Sequence, residues 1–265
     1  MNAIKNNLAI YLEGRKNLQP MIFIHGFPFD HKMWSGQVEY FKEHYHCVTY
    51  DIRGFGGSPA GDGQFTMESF VDDLFEIVDT LNLDKVVLCG LSMGGYIALR
   101  AIEREEKKFR AVILCDTKSE ADTNAVKLNR FAGIKQINDE GVQKFVGTFV
   151  PKCFTNEFIN LNRHKYEEIL NRALKSDPAG LKGCLLAMAA RTDTTDYLPK
   201  IKIPALIICG SEDKITPPDV MKAMSAKIST AIFLEVPEAA HLSPVENSDF
   251  VNKAIEKFLK DKLPA

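Results

Sequence analysis

A chain of 265 residues, 45% of them hydrophobic, has enough apolar material for one large domain, or a domain with an insertion, and too little length for two unrelated full domains. With 33 Lys and Arg against 35 Asp and Glu the formal charge is only -2, so no basic face able to neutralise many phosphates is implied and nucleic acid is excluded as the expected partner. No apolar run approaches the roughly 18–20 residues of a membrane span, and residues 1–13 lack the charged-then-apolar layout of a signal peptide, so a cytoplasmic location away from membranes is expected.

In chain order, short apolar runs at 21–25 and 47–51 each lead into a turn, as buried parallel strands do. Residues 67–81 carry Phe70, Leu74, Ile77, Val78 and Leu81 on one helical stripe. A strand at 86–90 enters a glycine-rich turn and a helix at 96–103, and the mixed-sign patch 103–108 reads as solvated surface. After a strand at 111–116 the rhythm changes: 118–197 is polar and helical with no convincing strand, until Ile203-Pro204-Ala205-Leu206-Ile207-Ile208 restores the pattern in a strand at 205–210. A strand-like run at 231–236 and a helical stretch at 250–259 close the chain. Strand alternating with helix predicts an α/β fold, a mostly parallel sheet with helices on both faces. Residues 1–117 and 196–265 form its core and 118–195 an inserted helical cap. The six cysteines stand singly with no C-x-x-C pair, which argues against a disulfide framework or a structural zinc site; Cys89, Cys115 and Cys209 close apolar runs as core thiols do.

Residues 85–99 place Gly90-Leu91-Ser92-Met93-Gly94 between a strand and a helix, the layout of a nucleophile elbow. A serine on so tight a turn takes strained backbone angles, and Gly90 and Gly94 must be small to clear the adjoining strand and helix. The bland alternative is that Ser92 only caps the following helix. A serine hydroxyl is a weak nucleophile at neutral pH, so a working site also needs a histidine as base and an acid to orient it. His241 lies in a loop between the last strand and the last helix, and Asp213 follows the strand 205–210 at the sheet edge where open parallel sheets carry their sites. The order Ser, Asp, His fits the elbow motif. Asp116 also closes a strand and is a rival for the acid. His25 is read as bonding loop backbone, and Asp51 with Arg53 as an internal pair within a turn.

With His25-Gly26-Phe27-Pro28, the run from Asp51 to Ser58, the Ser92 elbow, the Asp213 loop and His241 with Glu246, essentially the whole chain resembles the α/β-hydrolase superfamily. The branch it resembles is that of small carboxylesterases, 3-oxoadipate enol-lactonases and cofactor-free perhydrolases, to which 116–123 and Arg191-Thr192-Asp193 are also similar. The resemblance implies an oxyanion hole built from the backbone N–H groups of Phe27 and Met93. It implies acyl transfer from a small ester or lactone through Ser92, with His241 as base, Asp213 as acid, and neither metal nor organic cofactor. Superfamily members that take their acid from the Asp116 position keep that alternative open. Phe131, Phe145, Phe149, Phe154, Phe158 and Leu161 offer apolar surface to roof a pocket, and Arg130, Arg163 and Arg172 are the cap cations able to hold a substrate carboxylate. A reading of another class, a small-molecule receptor without turnover, is separated from the enzyme by whether a short acyl ester is turned over repeatedly.

Overall fold

The structure is a computed structural model, and it describes residues 7–263. The chain runs β1 (Ile10–Glu13), β2 (Pro20–Ile24), α1 (Ser35–Phe41), β3 (His46–Tyr50), α2 (Met67–Thr80), β4 (Val86–Leu91), α3 (Met93–Glu105) and β5 (Phe109–Cys115). Then come α4 (Asn124–Phe149), α5 (Asn156–Leu161), α6 (Arg163–Ala173) and α7 (Pro178–Ala189), followed by β6 (Ala205–Gly210), α8 (Pro218–Ser225), β7 (Ala231–Val236), α9 (Ser243–Glu246) and α10 (Ser248–Lys262). The seven strands form one sheet in the order β1-β3-β2-β4-β5-β6-β7, parallel except for β1, which pairs antiparallel with β3.

Every residue of β3, β4 and β6 is buried. Because successive side chains point to opposite faces of a sheet, continuous burial means that both faces are covered. On β2, β4 and β5 lies α3, with α2 packed beside it, while α8 and α10 pack on β6 and α1 on α10. The apolar stripe of α2 turns Phe70, Leu74, Ile77 and Val78 inward, and Thr66 starts the helix by accepting from the Ser69 N–H.

One strand lies outside the sequence reading, and one surface patch does more than that reading gave it. The antiparallel edge strand β1 escapes the periodicity because it is four residues long and buries only Ile10 fully. The patch 103–108 does more than meet solvent: Arg104 pairs with Glu68 and Asp72 on α2, Lys108 with Asp79, and Glu106 Oε1 accepts from the Lys202 and Ile203 amides at 2.9 and 3.1 Å.

Between β5 and β6 the chain is helical. Gly141 (φ 86°, ψ 170°) breaks α4, and its two halves pack where Phe145 meets Gly133. The ends of this segment are stapled together at its base. The Arg191 guanidinium donates to Asp122 Oδ1 at 2.6 Å and to the Glu120 carbonyl at 2.6 Å, Thr194 donates to the Ser119 carbonyl through both N–H and hydroxyl, and Asp193 accepts from the Ala121 amide at 2.9 Å. Among the described residues no helix is long and apolar enough to cross a membrane.

Candidate active site

Ser92 sits at the turn from β4 into α3 with φ 53° and ψ -114°, a left-handed conformation that costs a non-glycine residue about 1–3 kcal/mol. The surroundings hold it there: the Ser92 N–H donates to the Cys115 carbonyl on β5 at 3.0 Å, and its carbonyl accepts from Thr117 Oγ1 at 2.8 Å and from the Gly95 amide at 2.9 Å. Gly94 is required by close approach, since a Cβ there would lie 2.2 Å from the Ile24 carbonyl, and one on Gly90 would lie 2.4 Å from the Gly94 carbonyl. The Ser92 side chain makes no helix-capping bond. Its Oγ stands 2.9 Å from His241 Nε2 instead.

The opposite ring nitrogen, His241 Nδ1, is 2.8 Å from Asp213 Oδ2. Asp213 lies just beyond β6 and His241 just beyond β7, and the two loops meet so closely that a Cβ on Gly210 would lie 2.1 Å from the Ala240 carbonyl. Asp213 Oδ1 accepts from the Ile215 and Thr216 amides at 2.8 and 3.1 Å, and Oδ2 also accepts from the Thr216 hydroxyl at 2.6 Å. Burial alone would push the Asp213 carboxyl up, but the facing His241 and these hydrogen bonds hold it below the usual carboxylate range. An ionised Asp213 accepting from Nδ1–H leaves Nε2 as the acceptor for the serine proton. Ser92, His241 and Asp213 are 9%, 2% and 3% exposed, so the chain of three groups is screened from bulk water.

Asp116 is turned elsewhere. Its Oδ1 accepts from the Gly210 amide at 2.8 Å and its Oδ2 from the Ser243 hydroxyl at 2.5 Å. Burial, reinforced by the nearby Asp213 charge, raises its carboxyl well above the ordinary value. His25 bonds backbone at both nitrogens, Nδ1 to the Gly26 carbonyl at 3.0 Å and Nε2 to the Ile52 amide at 2.9 Å. The Asp51–Arg53 pair does not form. Asp51 faces inward onto His31 Nδ1, the Gly57 amide and the Tyr11 hydroxyl, whereas Arg53 reaches out to Asp73 on α2 with contacts of 2.5 and 2.6 Å.

Met93 opens α3, so its N–H has no carbonyl one turn back to accept it, and Phe27 follows the end of β2 on the neighbouring strand. The Phe27 ring is held edge-on by Phe55, Phe145 and Phe149, the last two reaching over from α4. Phe154 stacks on Phe158 and meets Tyr166 edge-on. Phe131 and Leu161, expected among the roofing residues, point to solvent with 46% and 74% exposure. The three arginines expected to hold a substrate carboxylate are engaged by carboxylates of the chain: Arg130 with Asp122, Arg163 with Glu167, and Arg172 with Asp30 and Glu168.

Contacts that no local pattern signals tie the histidine loop to the helical segment. Glu246 accepts from the Thr155 amide through Oε2 and from the Ala240 amide through Oε1, both at 2.8 Å, and the Leu242 amide donates to the Cys153 carbonyl at 3.1 Å. Lys165 Nζ donates to the Val245 carbonyl at 3.0 Å. Beside this seam runs a groove of about 590 Å³ bordered by Lys152, Phe154, Glu157, Lys214, Ile215 and Ala240. Two groups of metal-ligand type, Asp30-His31-Asp51 and Asp116-Cys209-Asp213, are drawn together. Their atoms are spent on internal bonds: Asp30 on Arg172, Asp51 on His31, Asp116 on Ser243, and the Cys209 thiol on the Thr216 carbonyl.

Comparison with known proteins agrees with this architecture. The α/β hydrolase fold family matches residues 19–248. The chain belongs to that family. It is 28% identical to 3-oxoadipate enol-lactonase 1 of Acinetobacter baylyi over 96% of this chain and 93% of the relative. A thermophilic esterase from Thermogutta terrifontis superposes with a TM-score of 0.91 at 34% identity, covering 96% of this chain and 93% of that one. An enol-lactonase from Burkholderia xenovorans LB400 gives a TM-score of 0.91 at 27% identity, covering 98% of this chain and 99% of that one. The protein is thus an α/β-hydrolase of the carboxylesterase and enol-lactonase-like kind, an enzyme of ester-hydrolase type.

Proposed function

We propose that the protein hydrolyses small carboxylic esters through an acyl-enzyme on Ser92, with lactones, which are internal esters, as the alternative substrate class. The reading is carried by the unbroken chain Ser92 Oγ, His241 Nε2, His241 Nδ1, Asp213 Oδ2, with contacts of 2.9 and 2.8 Å. Ser92 attacks the carbonyl carbon while His241 Nε2 takes its proton, and Asp213 stabilises the imidazolium so formed. The carbonyl oxygen, now negative, is received by the Phe27 and Met93 N–H groups, each worth about 3 kcal/mol in a hole of this type. His241 returns the proton to the leaving alkoxide. A water molecule activated by the same nitrogen then attacks the acyl-enzyme and regenerates Ser92.

Residues 118–195 act on this reading as a cap that encloses the acyl group and sets its size. Phe145 and Phe149 bear on the Phe27 ring, which favours an apolar acyl portion. Pairing of Arg130, Arg163 and Arg172 with carboxylates of the chain itself favours uncharged esters over anionic lactones. The esterase from Thermogutta terrifontis is described as malate bound, so a small dicarboxylate belongs in the substrate and inhibitor screen.

The deciding experiment exposes wild type and Ser92→Ala to a fluorophosphonate, followed by intact mass and peptide mapping. One adduct on Ser92, absent from the variant, supports the mechanism. An unmodified wild type that binds but does not turn over short acyl esters would instead make the fold a receptor.

A further inference from the structure

Thr216 is not required by the Ser-His-Asp scheme, yet its hydroxyl sits between two members of it. The side chain is 1% exposed and lies three residues after Asp213, where the loop wraps back on the carboxylate. Thr216 Oγ1 donates to Asp213 Oδ2 at 2.6 Å, the oxygen that also faces His241 Nδ1. Oγ1 is itself 3.3 Å from Nδ1. A hydroxyl has one proton and two lone pairs, so with its proton given to Oδ2 it can meet Nδ1 only as an acceptor. The Nδ1–H therefore has two acceptors, Asp213 Oδ2 and Thr216 Oγ1. The ring tautomer that leaves Nε2 free for Ser92 is favoured twice over.

The backbone of Thr216 is held at both its carbonyl and its amide. Its carbonyl accepts from the Cys209 thiol at 3.4 Å on β6, and its amide donates to Asp213 Oδ1 at 3.1 Å, so the hydroxyl is presented by a rigid turn. With Ile215, four hydrogen bonds then converge on the Asp213 carboxylate, from the Ile215 and Thr216 amides, the Thr216 hydroxyl and His241. Three of the four come from the turn 213–216 itself. That turn fixes the plane of the carboxylate before His241 arrives.

We infer that Thr216 is a positioning residue of the hydrolytic site, its hydroxyl locking the Asp213 carboxylate and the His241 tautomer together; the inference rests on the proposed Ser92 mechanism. A hydrogen bond to a charged group of this kind corresponds to a loss of about 10- to 100-fold when it is removed. The loss falls on kcat and leaves KM unchanged, because the hydroxyl faces the catalytic groups and not the substrate.

The test measures kcat and KM for p-nitrophenyl acetate, and the rate of fluorophosphonate labelling, in wild type, Thr216→Val, Thr216→Ala and Thr216→Ser, each checked for an unchanged melting profile. Val and Ala are expected to lose about 10- to 100-fold in kcat and in labelling rate, while Ser, which keeps the hydroxyl, stays within about threefold of wild type. Ala supplies the comparison if the Val variant does not fold. In an Asp213→Asn background the Thr216→Ala change is expected to add almost nothing, since the asparagine amide already drives the ring to the tautomer that leaves no Nδ1–H for the hydroxyl to accept. Full activity in Ala, a Ser variant as slow as Ala, or an undiminished Thr216 effect in the Asp213→Asn background would each overturn the inference while leaving the Ser92 mechanism standing. A wild type that neither labels at Ser92 nor turns over the ester would overturn the mechanism and this inference with it.

Discussion

The two buried carboxylates at the strand ends make opposite predictions, and a pair of near-isosteric substitutions separates them. In Asp213→Asn the amide presents an N–H where Oδ2 accepted from His241 Nδ1 at 2.8 Å, so the ring is driven to the tautomer protonated on Nε2. That proton then points at Ser92 Oγ across 2.9 Å, and the base is lost without any change of shape. The expected penalty is about 1,000- to 10,000-fold in kcat, or roughly 4–5.5 kcal/mol. Asp116 touches Ser243 and Gly210 but makes no hydrogen bond to His241, and burial already holds its carboxyl toward the neutral form, which an amide imitates. Asp116→Asn should therefore stay within about tenfold of wild type. Steady-state hydrolysis of a short acyl ester by both variants, with melting curves to confirm folding, makes the comparison. An Asp116→Asn enzyme as slow as Asp213→Asn would refute the assignment of the acid.

Asp122→Asn should cost about 3–5 kcal/mol, because Arg191, whose side chain is 2% exposed, loses its carboxylate in a buried setting. At about 2–4 °C per kcal/mol for a chain of this size the melting temperature falls by roughly 6–20 °C, whereas removing the exposed Lys257–Asp261 pair should leave it in place. Glu246→Gln sets an amide N–H against one of the two backbone donors, Thr155 or Ala240, at a cost of about 1–3 kcal/mol read by denaturant titration, and slower fluorophosphonate labelling because the histidine loop loosens. Asp51 supplies a pH signature. Burial opposes its ionisation, but bonds from His31 and Gly57 and the nearby His25 hold its carboxyl down at about 2. Since the folded value lies below the unfolded one, the ionised group stabilises the fold above about pH 4, by about 2 kcal/mol, and that stability drains away as pH falls toward 2. Denaturation midpoints from pH 5 to 2 should fall less steeply in Asp51→Asn than in wild type.

How much of this could be read from the sequence follows the range of the interactions involved. The strands from β2 to β7 and the helices α2, α3 and α10 are legible because burial imposes a period on consecutive residues, and the meeting of Ser92, Asp213 and His241 is legible because each follows a strand at the same edge of the sheet. Direction within a turn was not legible: Asp51 and Arg53 are two residues apart, yet one points into the core and the other at Asp73, twenty residues on. The same holds for the apolar residues between β5 and β6, which divide between Phe145 and Phe149, whose rings bear on Phe27, and Phe131 and Leu161, which face solvent.

The least legible layer is the one that holds the base in position. Thr155 meets Glu246 across 91 residues of chain, and the Cys153 carbonyl receives the amide beside His241. The histidine loop is thus fastened to the inserted segment as well as to the loops at the edge of the sheet that carries Ser92. A displacement of residues 153–165 away from the sheet would have to break these bonds and the one from Lys165 to Val245, or else carry His241 with it. Only a displacement that kept these bonds would move His241 away from Ser92 and cost the site its base.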